Sequence, residues 1–256
     1  MSSIALKRLY GKIAVVTAST DGIGLAIAQR LAQEGAKVII SSRKENNVQE
    51  AVKKLCSEGL DVKGLVCHVS KAADRQKLFE EAHKIGGLDI LVSNAAVNPE
   101  VGDVLDCSEN SWDKIFEVNV KSSFLLAKEA VPLLRQSKAG RIIFISSIAG
   151  FQPFDLLGAY SVSKTALLGL TKAAALQLAP DDITVNCIAP GVIKTKFSSA
   201  LTSNEDAELE ILSRIPLNRL GKPHDISGAV AFLASDDGAY ITGENIVIAG
   251  GMASRL

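Results

Sequence analysis

Tyr160 and Lys164 stand at i and i+4 in the run Tyr160-Ser-Val-Ser-Lys164, which opens a strongly helical stretch. That spacing puts a phenol and an ammonium on one face of a helix. A free tyrosine titrates at about 10 and is a poor acid or base at neutral pH. A neighbouring positive charge favours the phenolate and brings the group toward the range where it can protonate a ketone oxygen or deprotonate an alcohol. Ser147, in Ile145-Ser-Ser-Ile-Ala-Gly150 at the end of an apolar run, could hydrogen-bond the same substrate oxygen. Taken singly these signals are weak: a Tyr–Lys helix pair is more often accidental, and a strand-end serine is more often a turn residue.

A second cluster lies near the start of the chain. Thr17-Ala18-Ser19-Thr20-Asp21-Gly22-Ile23-Gly24 follows a short apolar run and precedes apolar helical periodicity. A glycine-rich strand-to-helix turn lets backbone N–H groups approach a pyrophosphate seated on the positive helix N-terminus. Glycines mark any tight turn, so the weight comes from position: first strand, first turn. A dinucleotide site of this kind usually carries an Asp or Glu about 20 residues on, to hold the ribose 2′-OH. Here that region reads Ser41-Ser42-Arg43-Lys44, with no carboxylate before Glu45. A carboxylate would repel a 2′-phosphate, whereas Ser42 and Arg43 would donate hydrogen bonds to it, Arg through two N–H groups at once. The expected cofactor is therefore NADP(H).

The elements that must position these groups alternate from end to end. Lys12–Thr17, Lys37–Ser41, Val62–Cys67, Leu88–Ser93, Arg141–Ser146, Ile183–Ala189 and Asn245–Ala249 read as strands, mostly as continuous apolar runs, as expected when both faces are covered. Helical patterns lie near residues 23–34, 46–58, 72–85, 109–136, 159–179 and 224–235. Such alternation predicts an α/β fold: a single doubly wound Rossmann-type domain over residues 1–256, with a seven-stranded parallel sheet. Residues 191–216 have weaker pattern and follow the carboxyl end of a strand, where ligands bind; a substrate-covering lobe or an ordinary surface excursion would both fit.

Composition narrows the function classes. The chain has 256 residues, 47% of them hydrophobic, with 28 basic and 28 acidic side chains, so it offers no electrostatic footprint for nucleic acid. The most apolar stretch, Ala166 to Ala179, is interrupted by Thr171, Lys172 and Gln177 and is too short to span a membrane. Cys56, Cys67, Cys107 and Cys187, with His68, His83 and His224, show neither metal-ligand nor disulfide spacing, so no metal is expected and reduced thiols are. No Asn-x-Ser/Thr sequon occurs, and a first strand near Lys12 leaves little room for a cleavable signal peptide.

The order glycine turn, Asn94-Ala-Ala, Val118-Asn119-Val120, Ser147, Tyr160-x-x-x-Lys164 and Pro190-Gly191 spans almost the whole chain and closely resembles the short-chain dehydrogenase/reductase family. The resemblance implies a catalytic tetrad of Asn119, Ser147, Tyr160 and Lys164. Tyr160 would be the general acid in reduction, Ser147 would orient and polarise the carbonyl, and Lys164 would grip the nicotinamide ribose and lower the tyrosine pKa. Asn119 would hold a water linking Lys164 to solvent; alone, it reads equally as a structural asparagine bridging helix and sheet. The dinucleotide would lie along Ala18, Ser19, Thr20, Asp21, Gly22, Ile23, Gly24, Ser42, Arg43, His68, Val69, Asn94, Ala95 and Ala96. Asn94 would stabilise the sheet beside the adenosine, and Ile193 and Thr195, after Pro190-Gly191, would touch the carboxamide. Three positions depart from the family pattern: Ala18 replaces its first glycine, Ser93-Asn94-Ala95-Ala96 replaces Asn-Asn-Ala-Gly, and His68 stands where an Asp commonly meets the adenine. Ala18 adds a methyl at the turn, and Val69 can still offer a backbone N–H.

These departures resemble one subgroup, NADPH-dependent carbonyl reductases also described as retinal reductases. That likeness implies activity on α-dicarbonyls, aromatic ketones, some ketosteroids and retinal, and a homotetramer. Ser254-Arg255-Leu256 resembles the Ser-Lys-Leu peroxisomal address, so a peroxisomal import receptor is an expected partner and the peroxisome the expected location, with the cytosol as a second. Phe151, Pro153, Phe154, Leu156 and Leu157 lie between Ser147 and Tyr160, while Ala96, Val97 and Phe197 come from neighbouring loops. They suit an apolar pocket for a small neutral carbonyl substrate, with Phe154 beside Ser147 and Tyr160, although each could be core or subunit contact. Lys196 and Arg214 could reach an anionic group or be solvated. Two other functions compete: a peroxisomal β-ketoacyl-CoA-type reductase, and a non-catalytic NADP-binding interaction protein.

Overall fold

In the computed structural model, which describes residues 7–198 and 205–253, each apolar run becomes a strand. The strands are β1 (Ile13–Val16), β2 (Lys37–Ser42), β3 (Val62–Val66), β4 (Ile90–Ser93), β5 (Arg141–Ile145), β6 (Thr184–Pro190) and β7 (Asn245–Ile248). They pair in parallel in the order β3-β2-β1-β4-β5-β6-β7, the seven-stranded doubly wound sheet that the sequence predicts. Every residue of β1, β4, β5 and β6 is buried, which is why those strands lack polar alternation.

Helices cover both faces. They are α1 (Gly22–Gln33), α2 (Glu45–Ser57), α3 (Ala72–Lys84), α4 (Glu109–Ile115), α5 (Ser122–Leu134), α6 (Gly158–Leu178), α7 (Glu205–Ser213) and α8 (Pro223–Ala234). Strand periodicity splits the core in two. Val16, Ile40, Val92 and Ile143 meet Ile27 and Leu31 of α1 and Ile226 and Val230 of α8 on one side. Val15, Ile39, Leu91 and Phe144 meet Leu78 of α3, Leu126 of α5 and Leu178 of α6 on the other. Each such side chain contributes about 1.5–3 kcal/mol when fully buried.

The connection from β1 runs to β2 on one side of the sheet while its other neighbour is β4, so the strand order reverses there and a crevice opens at the carboxyl ends. The predicted helix 109–136 is interrupted: a π-helical stretch, Phe116–Lys121, separates α4 from α5. The cause is local. The Ser122 hydroxyl donates to Val118 O and the Ser123 hydroxyl to Asn119 O at 2.8 Å, drawing carbonyls out of the regular ladder. In the lobe near 191–216, residues 191–198 form a loop and α7 follows; the stretch 199–204 lies outside the described residues, as do Ser254, Arg255 and Leu256. Among the described residues no helix is long and apolar enough to cross a membrane, and no group of His, Cys, Asp or Glu could hold a metal ion.

Ala18 carries more than an added methyl, because its φ of 50° lies in the left-handed region. A side chain there costs about 1–2 kcal/mol, against about 0.4–1 kcal/mol for the extra unfolded-state freedom of glycine. Ala18→Gly is therefore expected to stabilise the protein slightly, with a melting temperature about 2 °C higher. A lower melting temperature would mean that the Ala18 methyl makes compensating contacts.

Candidate active site

The glycine-rich turn is assembled by side chains from three strands. Ser19 is fully buried; its hydroxyl donates to Val16 O at 2.6 Å and accepts from Ser41 N at 3.0 Å, and its own N–H donates to Ser41 O at 3.0 Å, tying β1 to β2. Asn94, at the end of β4, donates from Nδ2 to Thr17 O at 3.1 Å and to Ala18 O at 3.0 Å, while its backbone N–H reaches Thr17 Oγ1 at 3.0 Å. A Cβ on Gly24 would stand 2.4 Å from Ala18 O and 2.5 Å from Asn94 Nδ2, so only glycine lets the helix approach the turn. Gly22, with φ at 54°, is the first residue of α1, and Asp21 caps that helix by accepting from Gly22 N at 2.8 Å. A close-packed, N–H-presenting turn of this shape fits the diphosphate of a dinucleotide.

One cleft of about 330 Å³ runs from this turn to Ser147, Tyr160 and Lys164. Ala18, Asp21, Gly22, Ile23, Gly24, Asn94 and Ala96 line it at one end, and Ser147, Phe154, Tyr160 and Lys164 at the other. Pro190, Gly191, Ile193 and Thr195 form the third wall. Thr20, Ala95 and the buried Ser19 stand back from it. Ser42, Arg43, His68 and Val69 lie outside the cleft but further along the same carboxyl edge: Ser42 pairs with Val66, and Ser42 O accepts from Cys67 N at 2.9 Å. Burial pushes His68 below its usual pKa, and the positive charges of Lys114, Arg43 and Lys71 push it further, which marks this end as electropositive.

At the reactive end, β5 and α6 are stitched together. Ser146 Oγ donates to Lys164 O at 2.8 Å, Lys164 Nζ donates to Ile145 O at 2.8 Å, and a Cβ on Gly150 would stand 2.8 Å from the Lys164 carbonyl carbon. Ser147 caps the short 3-10 turn Ile148–Gly150, accepting from Ala149 N at 3.1 Å, and its hydroxyl acts on the Tyr160 phenol, favouring the phenolate against burial. Lys164 Nζ lies 5.5 Å from the centre of the Tyr160 ring. Asn119, in the π-helical stretch, is fully buried. Its Oδ1 accepts from Val97 N at 2.8 Å, and its Nδ2 donates to Val97 O and Ser163 Oγ, each at 3.0 Å. Its amide thus bridges helix and sheet-end loop.

Burial dominates the electrostatics. It drives the Tyr160 phenol well above its ordinary value, with the Ser147 hydrogen bond opposing, and it drives Lys164 down to about 8. The sequence expectation is that positive charge at Lys164 pulls the phenol down; in the folded chain burial is the largest influence on Tyr160, and Ser147 is the group that opposes it. The result is a protonated phenol at neutral pH, the form that can give a proton to a carbonyl oxygen.

Several lining residues escaped the sequence reading. Ser198 fixes the third wall, accepting from Thr195 N at 3.1 Å and donating to Ile193 O at 2.6 Å; the Thr-x-x-Ser spacing was its only signal. Val192 and Ile148 are ordinary apolar residues until the fold brings them to the cleft. Phe197, named as a pocket residue, does reach it, with its ring 5.6 Å from that of Tyr160.

A family model described as enoyl-(acyl carrier protein) reductase matches residues 17–253. The chain belongs to the short-chain dehydrogenase/reductase family, and it is an NAD(P)-dependent oxidoreductase. Among curated proteins it is similar to dehydrogenase/reductase SDR family member 4 of Oryctolagus cuniculus, 55% identical over 97% of this chain and 96% of that one. Tropinone reductase-like 3 of Erythroxylum coca is 52% identical over 98% of this chain and 96% of its own. Among solved structures, one described as an NAD(P)-dependent gluconate 5-dehydrogenase from Beutenbergia cavernae, with bound NADP, is 31% identical with a TM-score of 0.91, covering 96% of this chain and 98% of that one.

The buried ammonium makes a pH-dependent prediction. Unfolded, Lys164 titrates at its ordinary 10.5; folded, at about 8. Between those values the unfolded state binds more protons, so this group's contribution to stability rises with pH across that window, and its cost of about 3 kcal/mol is fully present below it. Lys164→Met is expected to melt several degrees higher than the native protein at pH 7, by an amount that shrinks toward pH 10. Equal or lower melting at pH 7 would show that the ammonium is not destabilising.

Proposed function

We propose that this oxidoreductase reduces ketones and aldehydes to alcohols with NADPH. The observation that carries the reading is the buried Tyr160 phenol, which shares with Ser147 the end of a cleft whose substrate-side wall is apolar (Ile148, Phe154, Leu157, Val192 and Phe197). Bound NADPH supplies the hydride to the carbonyl carbon. Ser147 Oγ and Tyr160 Oη hold the carbonyl oxygen, and Tyr160 delivers its proton as negative charge develops there. Lys164 grips the nicotinamide ribose, and a water held by Asn119 links it to solvent, from which the proton given up by Tyr160 is replaced.

The apolar wall supports neutral substrates: α-dicarbonyls, aromatic ketones, and retinal or ketosteroids. Ser42 and Arg43, with no carboxylate before Glu45, support NADPH over NADH. Exposed apolar side chains on α5 and α6 (Phe124, Val162 and Leu176) are consistent with assembly as a homotetramer. Ser254-Arg255-Leu256 supports delivery to the peroxisome through its import receptor, with a cytosolic share. A second reading, reduction of a β-ketoacyl-CoA, takes support from the acyl-carrier description of the matching family model.

The direct test compares NADPH and NADH oxidation with an α-diketone, an aromatic ketone and retinal. We expect turnover with a strong NADPH preference, reduced about tenfold or more in Arg43→Ala. Absence of NADPH consumption with all three would sink the reading, and activity that required the CoA moiety would select the second. Tyr160→Phe should keep cofactor binding and lose about 10²–10⁴-fold in reduction; an unchanged rate would remove Tyr160 from the acid role.

A further inference from the structure

The loop after β6 reaches both ends of the cleft at once. Ser198 braces its own turn from within, Lys194 N donates to Gly221 O at 2.8 Å, and Ile193 bridges to Gly221. From this braced loop Phe197 lies against Tyr160, while Lys196 reaches the other way, its Nζ 2.8 Å from Asp21 Oδ2. Asp21 is the capping residue of α1, and its other carboxylate oxygen accepts from Gly22 N at 2.8 Å.

One carboxylate therefore takes, at the N-terminus of α1, both an N–H and an ammonium, the two kinds of donor that a diphosphate seeks. Among the described residues lining the cleft the cations are Lys164 and Lys196, and the anion is Asp21. Lys164 is buried beneath Tyr160 and bonded to Ile145 O, so it serves the reactive end. Lys196 is the one lining cation near the turn where a diphosphate's two negative charges would rest. Its side chain is 92% exposed and that of Asp21 58%, so their ion pair is weak and readily exchanged.

We propose that Lys196 is a cofactor-binding residue: its ammonium transfers from Asp21 to the dinucleotide diphosphate, and Asp21 is the anion that occupies the donors beforehand. Lys196 then closes the loop carrying Phe197 over the bound cofactor, while the Asp21 charge opposes binding. This rests on the chain's NAD(P) dependence and not on the identity of the carbonyl substrate or on the 2′-phosphate.

The test is the dissociation constant of NADPH and of NADH, read from dihydronicotinamide fluorescence at low and high salt. Lys196→Ala should weaken both dinucleotides by the same factor, about tenfold, and flatten the salt dependence, with Lys196→Arg restoring both. Asp21→Asn keeps an equivalent helix cap and should bind both more tightly. Native affinity in Lys196→Ala would overturn the proposal. A loss confined to NADPH would overturn it too, by placing Lys196 at the 2′-phosphate, and weaker binding in Asp21→Asn would reduce the pair to a structural latch. Because the readout is binding alone, failure of the native protein to reduce any ketone would refute the proposed reaction and leave this result standing.

Discussion

The Lys164 ammonium sits between β5 and α6, buried, with a backbone carbonyl for its acceptor and none of the described salt bridges reaching it. Most of the reactive end follows from accommodating it. The helix must lie close enough for Nζ to reach Ile145 O, which requires a glycine at position 150 and a short polar side chain at 146 to meet the Lys164 backbone. That same closeness brings Ser147 to Tyr160 and seals the phenol from water. The rigid parallel sheet supplies the counterweight, since β5 and its neighbours are buried along their whole length and hold the donor and acceptor positions fixed.

A protonated acid and a depressed lysine are two outcomes of one desolvation. Burial favours the neutral form of each group, so it raises the phenol and lowers the ammonium together. A protonated phenol is the form that can donate to a carbonyl oxygen. Running the reaction toward the ketone would require the opposite form of Tyr160, which positive charge nearby would have to stabilise.

The fold was legible because its determinants are local: continuous apolar runs, helical periodicity and a glycine turn each announce an element within a short window. Ser147, Tyr160 and Lys164 were legible for the same reason, two of them lying one helical turn apart. What stayed hidden was long-range or concerned side-chain commitment. Nothing near Ser19 in sequence says that its hydroxyl is consumed by Val16 and Ser41, or that the Asn119 amide is consumed by Val97 and Ser163. Burial of Tyr160 was hidden too, because charge spacing is visible along a helix while desolvation is not. The Asp21–Lys196 pair joins segments on opposite sides of the sheet's central crevice, and no periodicity connects them.

Two of the three departures from the family pattern, at positions 68 and 18, are best understood by what holds the backbone around them. At position 68 the structure does not need a carboxylate of its own, because α3 provides the anchoring: Asp74 Oδ2 accepts from His68 N at 2.9 Å, and Arg75 Nη1 donates to Val69 O at 2.7 Å while its remaining N–H groups are held by Glu129. At position 18 the Asn94 amide grips the carbonyl and fixes a left-handed alanine that would otherwise relax. In both cases the path of the chain is set by groups outside the motif, so the residue inside it is free to vary. The replacement at 68 also leaves one negative charge fewer on the stretch of the carboxyl edge where Arg43, Lys71, Lys114 and Asp74 surround it.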